Sequence, residues 1–186
     1  YESVVGDTSI TFAGGVYSGD LHITQAGAGI TVTVTRAEVS EASGAFTVDP
    51  GALVSFSVEA AGGGLIGDQG AGSAFDIDIT ALDTYGNTVT AFDGVGNTVD
   101  IADSTGTVAP AVSGVFTGGV RTESVTITGT GAGVVIDVTD SAGGLGTGTE
   151  TGSSNAFDVA AGALAGFSVT DGTGGAIGTQ TAGSGF

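Results

Sequence analysis

Residues 46–58, FTVDPGALVSFSV, return 111 positions later as FDVAAGALAGFSV at 157–169. The match continues without a gap through Ile66 and Ile177, Gln69 and Gln180, Gly72 and Gly183, and Phe75 and Phe186. A second pair recurs at 104 positions: FAGGVYSGDLHITQAGAGITVTVT at 12–35 and FTGGVRTESVTITGTGAGVVIDVT at 116–139. The spacings differ by 7 residues because one loop, AEVSEASG, is replaced by the longer SAGGLGTGTETGSSN. A period of about 110 residues is too long for leucine-rich or ankyrin-type solenoids and has the size of an independent domain. The sequence therefore divides into the later part of one unit at 1–48, a complete unit at 49–159 and the opening of another at 160–186. Taken together, the outer fragments lack the counterparts of 76–104. Joining the tail of one chain to the head of the next would leave a unit without its central strands, its ladder hydrogen bonds unmade. The chain reads as an excerpt of a longer repetitive polypeptide.

Within the complete unit, apolar residues alternate with polar ones at the strand period of two. In AFDIDITALD, Phe75, Ile77, Ile79 and Ala81 share one face, while Asp76, Asp78 and Thr80 share the other. NTVDIAD turns Val99 and Ile101 inward, ESVTITG does the same with Val125 and Ile127, and GVVIDVTD with Val134, Ile136 and Val138. NAFDVA adds Phe157 and Val159; ALVSFSVEA, TVTAF and VAPAV complete about seven short strands. YGN at 85–87, VGN at 95–97, DSTG at 103–106 and GTGAG at 129–133 supply the turns. The 37 glycines follow no collagen period and fit these turns. No stretch carries a helical period. One apolar and one acidic face per strand predict an all-β fold, a two-sheet antiparallel sandwich.

Charge narrows the partners. Two basic residues face 20 acidic ones, a formal net of −18. Such a surface is repelled by nucleic acid phosphates and anionic lipid, and its simplest role is to be solvated. There are 0 cysteines and no lysine, so disulfides, thiolate metal sites and Lys–Asn crosslinks are all excluded. The sequence contains no apolar run of the roughly 20 residues that span a membrane. It shows no basic-then-apolar signal segment either, and with 0 methionines it begins at a processed or internal position.

AGSAFDIDITALDTYGNTVTAFDG, followed by GVRTESVTITGTGAGVVIDVTD, resembles the bacterial immunoglobulin-like repeats found in tandem in large surface proteins of the invasin and intimin type. The shared pattern is a strand, Asp83, the Tyr85-Gly86-Asn87 turn, a strand, and a late hairpin ending in VTD. The resemblance covers nearly the whole chain, because both partial units match the central one. It implies tandem immunoglobulin-like antiparallel β-sandwiches of about seven strands each, displayed at the cell surface or outside the cell. The high Gly and Ala content and the long loop at 141–155 depart from the pattern.

Little in the sequence can carry out a reaction. His22, the single histidine, sits between inward Leu21 and Ile23, and Thr126 takes its place in the complete unit. No Ser-His-Asp set can be built on it. The Gly-rich stretches lack the lysine of a phosphate loop and precede no helix. An enzyme is not expected, nor any organic cofactor. Calcium, which takes 6–8 hard oxygen ligands, is the one metal whose ligands are on offer. The resemblance implies that Asp83, Asn87, Asp140 and Asp49 gather at one pole, facing the preceding unit. Against this, Asp49 becomes Ala160 in the next copy, no D-x-D-x-D-G loop exists, and a tight turn needs Asp83 and Asn87 on its own account. The function expected is structural: a segment of a stalk, surface layer or fibre whose partners are neighbouring repeats and other copies of itself. The alternative is an adhesin binding a receptor or glycan through its loops. Recognition loops usually expose aromatics; here Tyr17 is replaced by Arg121 and most phenylalanines recur as core. An appendage of a secreted enzyme is a third class.

Overall fold

A computed structural model describes residues 4–5 and 10–183; the Phe186 counterpart of Phe75 lies outside them. The fold is all-β, with no helix among the described residues. The first segment carries β1 (Val4–Val5), β2 (His22–Ile23), β3 (Gly27–Ile30), β4 (Thr33–Arg36), β5 (Val39–Ala42) and β6 (Phe46–Val48). Next come β7 (Ser55–Ala60), β8 (Gln69–Gly70), β9 (Ala74–Leu82), β10 (Val99–Asp103) and β11 (Val108–Ala109). The series closes with β12 (Val120–Ile127), β13 (Gly131–Val134), β14 (Ile136–Asp140), β15 (Thr151–Ser153) and β16 (Phe157–Ala160). A seven-stranded sheet runs in the order β10-β14-β15-β7-β9-β12-β11, and a three-stranded sheet in the order β13-β16-β8. Both sheets feed one core: Phe157, Val159 and Val134 from the smaller pack with Phe56, Val58, Ile77, Ile79, Val99, Val125, Ile136 and Val138 from the larger. Each such side chain taken fully out of water contributes about 1.5–3 kcal/mol.

Within residues 49–159 the alternation placed the inward residues correctly, whereas Leu21, also expected inward, is exposed; three further details differ. Pairing is not wholly antiparallel, because β15 runs parallel to β7 and β16 parallel to β8. These neighbours are early and late in the unit, and so much intervening chain can make the crossover that parallel strands require. TVTAF forms no strand: Thr88 makes a single bridge to Leu82, then the Phe92 amide donates to the Val89 carbonyl at 2.9 Å. That turn drives Phe92 to the centre of the core with 0% exposure. The long loop at 141–155 holds a strand, β15, which lies against β7 because Gly152 has no side chain; a Cβ there would fall 2.2 Å from the Phe56 carbonyl oxygen.

The repeat in sequence is a repeat in backbone pairing. β3 pairs with β6 through Gly27–Val48 and Ile30–Phe46, with an irregularity between them. β13 pairs with β16 through Gly131–Val159 and Val134–Phe157, irregular at the same place. At the other end, the turn that bonds Ala60 N to Gly64 O at 3.0 Å recurs as Asp171 N to Gly175 O at 2.9 Å. Burial does not repeat. Phe116 and Val125 are fully buried, yet their counterparts Phe12 and Leu21 are 49% and 42% exposed. Leu53, Phe56 and Val58 belong to the core, whereas Leu164, Phe167 and Val169 lie open to solvent. Sequence fixes local turns and pairings here; burial needs the opposing sheet.

The two arginines offer a simple check. Arg36 is exposed and ends β4 beside Ala37, whose φ of 50° marks a strained tight turn. Arg121 lies inside β12, opposite Ile79, with its Nε donating to Glu123 Oε2 at 2.9 Å. Limited trypsin digestion should cut after Arg36 and spare Arg121 until the central unit unfolds. Early cleavage after Arg121 would contradict the β9–β12 pairing.

Candidate functional site

The stretch LDTYGN at 82–87 builds a densely hydrogen-bonded loop. Asp83 is buried, and both of its carboxylate oxygens are saturated. Oδ1 accepts the amides of Tyr85 at 2.8 Å and Asn87 at 2.9 Å. Oδ2 accepts the Gly51 amide at 2.8 Å and Asn87 Nδ2 at 2.9 Å. Gly86, at φ 80°, gives the turn a left-handed residue without steric cost. Asn87 then reaches out of its own unit. Its Nδ2 donates to the Thr24 carbonyl at 2.7 Å, while its Oδ1 accepts the Ala26 amide at 2.9 Å. One side chain thus grips both faces of a loop 61–63 residues earlier.

The connecting segment is held by the same loop. Gly51 approaches Asp83 so closely that an added Cβ would lie 3.3 Å from Oδ2. Asp83 therefore fixes the linker and Asn87 fixes the loop before it. Sequence reasoning singled out Asp83 and Asn87 but missed Thr24, Ala26 and Gly51. A signal was available for Gly51, which recurs as Gly162 in the next copy. None was available for Thr24 and Ala26, which take part through backbone atoms alone.

The four calcium candidates are not brought together as one ligand set. Among the described residues no group of three or more His, Cys, Asp or Glu is arranged to hold a metal. Asp83 already receives four N–H groups, and a cation would have to displace them. Asn87 is fully engaged with Thr24, Ala26 and Asp83. Asp49 is exposed and lines a hollow that also touches Thr147 and Glu150. Asp140 anchors the long loop, its Oδ2 accepting the Gly148 amide at 2.8 Å while its buried Oδ1 has no partner. His22 is exposed on β2.

Several carboxylates here act as acceptors for turns, and this sets an acid sensitivity. Burial pushes the Asp83 pKa up, but the Asn87 side chain and the amides of Gly51, Asn87 and Tyr85 outweigh it and hold the group at about 2 instead of 3.8. Glu150 is lowered from 4.5 to about 2, chiefly by the Thr147 hydroxyl, with burial opposing and the Thr147 amide assisting. Asp103 is also lowered: burial raises it, and the Thr105 hydroxyl with the amides of Thr105, Thr107 and Val108 more than compensates. Because the unfolded chain binds protons at a higher pH than the folded one, stability is fully present above about pH 4.5 and is lost on the way down to about 2. Thermal melts should therefore show a falling Tm over that window. A Tm that holds constant from pH 5 to 2 would mean these turns do not form.

The chain matches no known family, no curated protein and no solved structure.

Proposed function

We propose that this chain is a structural segment of a repetitive extracellular surface protein, built from tandem immunoglobulin-like β-sandwiches. The units are 1–48, 49–159 and 160–186, and their neighbours and other copies of the chain are the partners. The observation that carries this reading is the Asp83–Asn87 loop. Asp83 and Asn87 make side-chain hydrogen bonds with backbone groups of the segment before β7 and of the loop before β3. Three hydrogen bonds tie the segment at Gly51 and the preceding loop to this turn, Gly51 to Asp83, Ala26 to Asn87 and Asn87 to Thr24, and a fourth, from Asn87 to Asp83, links the two gripping side chains. A join held this way limits hinge motion, as a stalk or fibre requires and a catalyst does not.

The excess of 20 acidic over 2 basic residues suits a hydrated, non-adherent shaft. With only two arginines and no lysine, the chain also offers trypsin-like proteases little to cut.

The test has two arms. A polypeptide of several such repeats in series should scatter X-rays as a rod whose length grows linearly with repeat number. Antibodies raised against the chain should label the outside of intact source cells. A compact particle of fixed axial ratio, or labelling only after the cells are broken, would overturn the proposal.

A further inference from the structure

We infer that the surface formed by Thr128, Thr130 and Gly162 is a vacant copy of the Asn87 grip and receives the Asp-x-Tyr-Gly-Asn loop of a further repeat. The inference rests on the tandem reading above and adds the docking atoms. Thr128 and Thr130 stand 104 positions after Thr24 and Ala26, and Gly162 stands 111 after Gly51. In the first set the Thr24 carbonyl, the Ala26 amide and the Gly51 amide are all taken up by Asn87 and Asp83. In the second set, no hydrogen bond among the described residues reaches the Thr128 carbonyl, the Thr130 amide or the Gly162 amide, and all three residues are exposed.

The vacant set is held in shape from below. Thr107 Oγ1 accepts the amides of Thr128 at 3.1 Å and Gly129 at 2.7 Å, which fixes the loop and leaves its outer edge free. A Cβ on Gly129 would lie 2.6 Å from Thr105 Oγ1, so the loop sits directly on its support. The adjoining strands β13 and β16 pair in the same irregular register as β3 and β6, which frame the occupied set. Gly162 follows β16 as Gly51 follows β6, and a Cβ on it would sit 2.8 Å from the Ala71 carbonyl. One carbonyl and two amides, matched through the repeat to the groups that an Asp and an Asn four residues apart satisfy at the other end, are thus left without partners among the described residues.

The experiment extends the full chain after Phe186, which stands where Phe75 does, with a second copy of residues 76–160. Amide hydrogen exchange is then read at Thr130 and Gly162, and the solvent exposure of Phe167 reports whether the added unit folds. The expected result is burial of Phe167 together with slowing of both amides by about tenfold or more. Changing the added copy of Asn87 to Ala should then release Thr130 and leave Gly162 slow. If Phe167 becomes buried while Thr130 exchanges as in the unextended chain, the docking inference falls and the tandem reading stands. If Phe167 stays exposed and neither amide slows, both fall.

Discussion

Asp83→Asn is expected to cost the central unit about 2–4 kcal/mol, although it exchanges a single oxygen for an NH2 group. The carboxylate accepts four N–H groups, two on each oxygen. An amide offers one accepting oxygen, so whichever way it is turned, two donors face its NH2. Each buried donor left unpaired costs about 1–3 kcal/mol, and the hydrogen bonds that remain lose their charge assistance. For a unit of this size the change corresponds to a drop in Tm on the order of 10–20 °C. The variant should also lose part of the acid dependence, because the group whose pKa is held at about 2 is gone. Asn87→Ala separates the two roles of the loop. It should leave most of the central unit's stability in place while freeing the Ala26 amide to exchange. Urea unfolding of both variants, with amide exchange on the second, checks the pair. An Asp83→Asn protein within about 0.5 kcal/mol of the parent would show that this carboxylate does not anchor the linker.

The contrast between these variants marks where the sequence could be read and where it could not. Alternation in FDIDITAL or NTVDIAD identifies a buried face, because side chains of a strand point up and down in turn and the core accepts only one set. It also locates Asp83 and Asn87, since a turn with glycine in a left-handed conformation advertises itself. It cannot say which neighbour a strand takes, so a wholly antiparallel sandwich is expected where β15 in fact runs parallel to β7 and β16 parallel to β8. TVTAF, with Val89 between two threonines, reads as one more strand piece; the turn there is set by backbone bonds to Ala81 and Val89. The grip of Asn87 on Thr24 and Ala26 is invisible for a different reason. Its partners are a carbonyl and an amide, which every residue carries, so no residue type signals them.

Phe56→Ala should destabilise the protein by about 3–5 kcal/mol, while the same change at its repeat counterpart, Phe167→Ala, should stay within about 0.5 kcal/mol. The two phenylalanines occupy the same place in the repeat, 111 positions apart, in ALVSFSV and ALAGFSV. Phe56 is 5% exposed, with ring centroids 5.4 Å from Phe92 and 6.0 Å from Phe116, and those two rings are themselves 4.8 Å apart edge to face. Truncating it removes one member of this trio and leaves a void that the fully buried Phe92 and Phe116 are too tightly packed to fill. Phe167 is 87% exposed and loses nothing of that kind. Equilibrium urea unfolding of the two variants separates a property of the residue from a property of its surroundings. Equal losses would mean that residues 161–183 fold back onto the core in solution. The expected difference means that a unit's first strand gains its stabilising contacts only when the strands corresponding to 76–104 are present to cover it. Restoring those strands downstream should make Phe167→Ala as costly as Phe56→Ala, because the cost belongs to the closed core and not to the aromatic ring alone.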